Sequence, residues 1–356
     1  MSVINLFAAL AVMYILWTIM VRKGMKNLTC HRSFSKTEVF EGDEAELVEV
    51  VRNDGPYIIP WLRVESYISP KLKLGKQENL HKSSTFYRSC FTLMPYQQIR
   101  RRHQVKFLGR GVYDLGNASL GAGDLLGMTR FWKDQNLSTP IVVYPQVPDR
   151  EDLPLPLSKT LGDLIAKNRL LTDPFLVRSI RPYQPGDLIR DIHWAATART
   201  EEVQVRVHDH TISTRLLVVL NAQRRDDQWD DYIREQDIPL MEEEIRLAAG
   251  VCVHALRAGL AVGFATNMPR EKEKESTVVT PGEGEVWEKT LLDAFARLTL
   301  HCSGKFLPLL ESLGQYTDMD ILILSPYNSG SIQAAIEKLE DQGNQVTFIQ
   351  TEGGIL

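Results

Sequence analysis

The chain opens on an unbroken apolar run. Between Val3 and Val21 there is no charged residue, and Leu, Ile, Val, Met and Ala dominate. As a helix the run spans roughly 28 Å at ~1.5 Å per residue, close to the hydrocarbon thickness of a bilayer. Arg22, Lys23, Lys26 and Arg32 follow at once. No basic stretch precedes the run and no small-residue cleavage site follows it, so residues 1–26 read as a transmembrane anchor rather than a cleaved leader. The positive-inside rule then assigns the bulk of the chain to the cytoplasm, behind a single pass through the cell membrane. Removing residues 1–26 is expected to release a soluble protein.

Over residues 35–150 the pattern changes to short alternating stretches. Glu46–Val51 and Trp61–Ile68 alternate polar with apolar, and Ser84–Leu93, Gln104–Leu108 and Ile141–Tyr144 add further strands. Turn-forming groups such as Asn53-Asp54-Gly55-Pro56 and Ser69-Pro70 separate them. Short strands at this spacing predict a β-sandwich. Leu153–Leu157 reads as a proline-punctuated linker and Leu161–Leu171 as a short helix; together with a charged segment up to about residue 212 they connect to a third region.

From residue 213 to 356 the periodicity is that of an α/β domain. Leu216–Leu220 is a continuous apolar run, as expected of a strand buried on both faces. Helices are expected over Pro239–Ala258, Gly284–Leu300 and Ser331–Leu339, and strands over Leu260–Ala265, Ile321–Leu324 and Gln345–Ile349. Trp287, Leu291, Leu292, Phe295 and Leu298 fall on one face of the second helix. Such alternation predicts a largely parallel, Rossmann-like sheet covered by helices. The charged stretch Arg270–Glu275 reads as a solvated loop.

Composition adds limits rather than a function. With 356 residues, 44% hydrophobic and 24% charged, the chain has room for two domains plus an anchor and no disordered bias. A net charge of -4 gives no global drive toward nucleic acid, so no nucleic-acid partner is expected. Cys30, Cys90, Cys252 and Cys302 are scattered, without zinc-type spacing, and suit reduced thiols.

The densest chemistry lies in the connecting segment. Arg181, Tyr183, Pro185, Gly186, Asp187, Arg190, His193 and Trp194 occur within fourteen residues, with Arg199 and Arg206 beyond. Pro185-Gly186-Asp187 is turn chemistry. Three readings are open. The arginines and aspartates form an internal charge network, with Tyr183 and Trp194 packed between domains; or Arg, Tyr and Trp form a surface for a protein partner; or the arginines hold a phosphate or nucleotide.

This pattern, Arg-x-Tyr-x-Pro-Gly-Asp-x-x-Arg-x-Ile-x-Trp followed by Ala-Arg, resembles the signature of the domain of unknown function 58 family. Arg110-Gly111-Val112-Tyr113-Asp114-Leu115-Gly116 and Asp124-Leu125-Leu126-Gly127 are similar to an upstream stretch of the same family. The resemblance implies a membrane-anchored bacterial protein with a β-sandwich and a von Willebrand factor A-like domain. It also implies an adaptor or scaffold role beside a MoxR-type AAA+ ATPase, with a transglutaminase-like membrane protein as a further partner. Relatives often carry a hairpin of two membrane segments where this chain has one. The family's von Willebrand A-like fold often binds Mg²⁺ through Asp-x-Ser-x-Ser; here Asn221-Ala222-Gln223-Arg224-Arg225 stands in that place, and no metal or other cofactor is expected.

The alternative is a hydrolase or metal-dependent enzyme. It would use His193 beside Asp187 and Asp191 as a general base, or the His208/His210 pair, two residues apart on a strand, as zinc ligands. No nucleophile elbow, HExxH, Walker loop or GxGxxG accompanies them, and a non-catalytic role is the expectation. Arg100-Arg101-Arg102 reads as a solvated turn or a contact with lipid headgroups.

Overall fold

The computed structural model describes residues 3–75, 86–123, 130–170, 172–184, 187–200, 202–210, 215–228 and 231–351. The chain divides into two compact units, Met1–Gln146 and Val147–Leu356.

The first unit begins with α1 (Val3–Lys26), followed by β1 (Leu28–Phe34), β2 (Glu38–Phe40), β3 (Glu44–Asn53), β4 (Ile59–Tyr67), β5 (Leu72–Leu74), β6 (Phe86–Leu93), β7 (Gln98–Phe107), β8 (Gly111–Tyr113), β9 (Asn117–Gly123), β10 (Arg130–Asn136) and β11 (Ile141–Tyr144). The sheets β1-β3-β7-β5 and β10-β9-β4-β6 are antiparallel, and β2-β11-β8 forms a smaller third sheet. Cys30 and Val51 of the first sheet share one core with Leu62, Val64, Phe91 and Leu120 of the second, the layout of a β-sandwich. Arg100, Arg101 and Arg102 lie inside strand β7, not in a turn. The residues of β7 pair with β3 on one side and β5 on the other, and Arg101 stacks over Phe91 at 4.1 Å.

α1 serves two environments. Phe7, Met13 and Leu16 are 67%, 61% and 63% exposed, whereas Val21 and Met25 lie in the sandwich core with Trp17 packed against them. Among the described residues this is the one helix long and apolar enough to cross a membrane, over Phe7–Lys26. The last turns therefore belong to the folded unit as much as to an anchor.

The interior of the sandwich also holds polar groups. Arg32 is paired with Glu49 at 2.6 Å and also bonds Ser66, all three buried. Tyr87 accepts from Ser89 and shares a hydrogen bond with His103 Nε2 at 2.7 Å. The Arg110–Gly116 stretch is a turn lock. Tyr113 donates to the Gly109 carbonyl, and Asp114 accepts from Gly116, Ser138 and Thr139, while Gly111 and Gly116 take φ +149 and +54. Asp124–Gly127 lies outside the described residues.

The second unit comprises α2 (Leu155–Leu170), β12 (Thr172–Pro182), α3 (Trp194–Thr200), β13 (Gln204–His210), β14 (Arg215–Leu220), α4 (Ile238–Arg257), β15 (Ala261–Thr266), β16 (Thr277–Gly282), α5 (Glu285–Arg297), α6 (Phe306–Ser312), β17 (Asp320–Ser325), α7 (Gly330–Asp341) and β18 (Gln345–Gln350). The stretch expected as a linker opens α2 instead: Leu153 and Leu157 are buried with Leu161 against the core, because proline is tolerated in a first helical turn.

Five strands form the sheet β16-β15-β14-β17-β18, parallel except for the antiparallel edge strand β16. β14 sits at its centre. Leu216, Val218 and Leu220 point into a core with α2, α4 and α5, and Leu217 and Val219 into a second core with α6 and α7. That two-sided burial is why the strand reads as an unbroken apolar run. Phe264 and Phe295 stack across the strand–helix layer at 4.2 Å between centroids.

Two predictions arise here. Removing residues 1–16 should leave the urea-unfolding midpoint unchanged, because the core residues of α1 remain. Removing residues 1–26, or Met25→Ala alone at about 2–5 kcal/mol, should destabilise the chain. The second concerns pH. Burial holds the His103 imidazole below its ordinary value, opposed by Glu49 and aided by Arg101 and Arg32. The unfolded chain then takes the proton first, so stability should fall as pH drops below about 6.5. Urea midpoints at pH 7.5 and 5.5 should show a smaller difference in His103→Gln than in the native chain.

Candidate functional site

The signature segment folds as a self-contained hairpin with a short helix laid against it. β12 and β13 run antiparallel from Ser179 opposite Val207 to Pro182 opposite Gln204. At the turn the Asp187 amide donates to the Gln184 carbonyl at 3.1 Å, and the Gln184 amide returns a bond to Asp187 Oδ2 at 2.8 Å. Arg181 grips the same carboxylate with both Nη groups, at 2.8 and 2.7 Å. The Arg181 guanidinium, and then the Gln184 amide, hold the Asp187 carboxyl below the usual carboxylate range. Pro185 and Gly186 lie outside the described residues.

Beyond the turn the chain folds back onto β13. Ile192 bridges to Val205, and the His193 amide donates to the Gln204 carbonyl at 2.7 Å. His193 then starts α3. Its carbonyl accepts from the amides of Ala196 and Thr197, and its Nδ1 accepts from the Ala196 amide at 3.0 Å. Nδ1 is therefore unprotonated and occupied as a helix cap. The Asp187 carboxylate is bonded instead by Arg181 and the Gln184 amide. Thr197 Oγ1 accepts from the Gln204 amide at 3.0 Å, fastening α3 to β13.

These bonds leave the rest of the signature facing solvent. Trp194 is 66% and Tyr183 44% exposed, whereas the charge-network reading expected both to be packed. The Arg181–Asp187 pair of that reading is present, but it is a surface pair. The Arg190 side chain is 81% exposed, 3.8 Å from the Asp191 carboxylate. Arg199 and Arg206 are exposed as well. Ile189, 76% exposed, stands with Ile180, Leu188 and Val203 as large apolar side chains left in water. The sequence reading passed over these four. For Leu188 and Ile189 the signal was an apolar step inside a charged turn between Asp187 and Arg190. His208 and His210 lie on β13 opposite Val177 and Thr172, and their side chains lie outside the described residues.

A second place of interest is the carboxyl edge of the parallel sheet, where strand order reverses around β14 and α/β folds often bind ligands. Asn221 Nδ2 donates to Ser325 Oγ at 2.9 Å, and its Oδ1 accepts from the Gln223 amide at 2.9 Å. Asn267 Oδ1 accepts from the Ala222 amide, and Gln223 Oε1 from the Phe306 amide. Next to them Arg224 forms a forked pair with Glu244, at 2.9 and 2.6 Å, both side chains buried. Neutral amides and a paired guanidinium thus occupy the edge, a donor set poorly matched to a hard cation. Among the described residues no cluster of three or more His, Cys, Asp or Glu is placed to hold a metal ion. A cavity of about 220 Å³ opens beside this edge, lined by Arg224, Arg225, Tyr232 and Arg234.

Residues 179–299 match the family described as Protein of unknown function DUF58. The matched part runs from the signature hairpin through α5 and leaves the sandwich outside. No curated protein matches the chain. Among solved structures, the CARDB domain of the PF1109 protein from Pyrococcus furiosus is 17% identical with a TM-score of 0.22, over 33% of this chain and 91% of that one. A protein of unknown function from Porphyromonas gingivalis W83 is 13% identical with a TM-score of 0.24, over 35% of this chain and 50% of that one. A non-cellulosomal cohesin from Archaeoglobus fulgidus is 7% identical with a TM-score of 0.22, over 32% and 91%.

The two ion pairs should respond differently to mutation. Glu244→Ala strands a buried guanidinium and should lower stability by about 3–5 kcal/mol in urea unfolding. Asp187→Asn should leave the unfolding midpoint in place, yet speed amide exchange at Gln184 and Asp187; a lowered midpoint would mean that the surface pair supports the whole unit.

Proposed function

We propose that this chain is a membrane-anchored adaptor without catalysis of its own, and that the signature hairpin is its docking surface for a protein partner. The observation that carries the reading is the exposed set Tyr183, Leu188, Ile189 and Trp194 beside Arg190 and Arg199, held in place by bonds internal to the hairpin. Aromatic, aliphatic and arginine side chains in this combination are those that anchor protein interfaces, and exposing them needs a reason when a core was available.

The α/β unit fits a degenerate von Willebrand factor A-like domain: a central first strand, an antiparallel edge, and the amide network at the position where such domains carry their metal motif. In the same reading α1 spans the cell membrane with the two folded units on the cytoplasmic side. The partner is a MoxR-type AAA+ ATPase, a transglutaminase-like membrane protein being a further member of the assembly; this partnership rests on the family resemblance. The hydrolase alternative draws no support from His193, whose Nδ1 is committed to capping α3.

The reading is tested by tagging the chain in its native membrane, crosslinking gently and identifying what co-purifies. An AAA+ ATPase should be enriched, and Trp194→Ala or Ile189→Ala should abolish the enrichment while His193→Ala, if folded, retains it. Enrichment that survives loss of Trp194 and Ile189 together would remove the hairpin as the docking surface.

A further inference from the structure

The charge of this chain is unevenly divided. Residues 1–146 hold 19 lysines and arginines against 12 aspartates and glutamates, a net of +7, and residues 147–356 hold 22 against 33, a net of -11. The overall -4 conceals a cationic first unit, and such asymmetry points to an anionic surface as the partner of the basic part.

Strand register locates a share of that charge at one end of the sandwich. Leu28 lies opposite Asn53, Arg52 opposite Gln98, Val50 opposite Arg100 and Ile59 opposite Leu93. This is the end at which α1 terminates. The Asp54 amide donates to the Asn27 carbonyl at 3.0 Å, the Tyr96 amide to the Gly55 carbonyl at 3.2 Å, and Asn53 Nδ2 to the Met94 carbonyl at 3.0 Å. The helix end, the 53–57 loop and the 94–97 turn are thus one bonded rim.

Arg22, Lys23, Lys26, Arg52 and Arg100 are exposed on or beside this rim, and Asp54, paired with Arg52, is the acidic group among them. Two apolar side chains project from the same place, Met94 at 52% and Tyr96 at 72% exposure. Tyr96 sits at φ 56, a conformation uncommon for a residue with a side chain. The turn that holds it is closed by bonds from the Gln97 amide to the Met94 carbonyl and from the Met94 amide to Gln97 Oε1. A strained turn presenting an aromatic to solvent suggests a use for the aromatic outside the fold.

The geometry points to this rim as a binding surface for the headgroups of anionic phospholipids, with Met94 and Tyr96 entering the interfacial layer while Arg52, Arg100 and the basic end of α1 meet lipid phosphates. The inference rests on α1 crossing the membrane, since the exposed apolar part of that helix ends at the rim. Tyrosine suits the headgroup level, where its ring is apolar and its hydroxyl wet. Arginine forks match phosphate oxygens. Each basic group close to an anionic leaflet changes partitioning by roughly fivefold, and the effect fades within about 10 Å.

The test places the full chain in nanodiscs of phosphatidylcholine alone or with added phosphatidylglycerol, and follows amide exchange of residues 94–100. Exchange should be several-fold slower in the anionic discs, and the difference should vanish at high salt and in the Arg52→Gln/Arg100→Gln variant. The comparison of lipids uses the native chain, so it holds whether or not the variant folds. Equal exchange in both discs, with the protein retained in them, would overturn the headgroup surface and leave the anchor standing. A chain that fails to enter discs of either composition would remove the membrane reading of α1, and this inference with it.

Discussion

The burial of Val21 and Met25 in the sandwich core is the constraint on which the first unit turns. An apolar helix can satisfy its side chains in lipid or in protein; α1 is long and apolar enough to cross a membrane, and its last turns are buried in protein. Phe7, Met13 and Leu16 are exposed, whereas Val21 and Met25 of its last turns share a core with Leu28, Ile59 and Leu93. Asn27 alone separates the helix from β1, so no free linker intervenes. Any rotation of α1 is passed directly to the sheets. The sandwich is therefore oriented by its helix rather than tethered by it.

Much of this architecture was legible because the apolar period changes with the environment. The runs Val3–Val21 and Leu216–Leu220 are continuous for different reasons, lipid-length apolarity in one case and two packed faces in the other, and length separates them. The strands of the sandwich alternate and were visible for that reason. What failed were places where local chemistry is ambiguous. Pro154 and Pro156 look like a linker, but one immediately precedes α2 and the other sits in its first turn, where proline is tolerated. Three consecutive arginines look like a turn, yet Arg101 finds a ring to stack on and its neighbours face solvent from an ordinary strand.

The site was legible in its members but not in its exposure. Charges and aromatics in a short segment are compatible with a buried network or an open surface, because residue types do not state which side faces water. The structure separates the two: local bonds among Arg181, Gln184, Asp187, His193 and Thr197 hold the backbone, and Ile189 and Trp194 are left over. His193 shows the same division of labour. A histidine beside two aspartates suggests acid–base chemistry until its Nδ1 is seen accepting from a helix amide.

The Arg224–Glu244 pair bears on how the second unit can be regulated. A metal held at the carboxyl edge of a sheet can leave and return, so occupancy there can report ionic conditions and couple them to shape. A guanidinium on its own backbone cannot dissociate, and its fork is closed on a carboxylate carried by α4. At this edge a closed ion pair stands where a metal motif would offer open oxygens, so any opening of the edge has to break the buried Arg224–Glu244 fork.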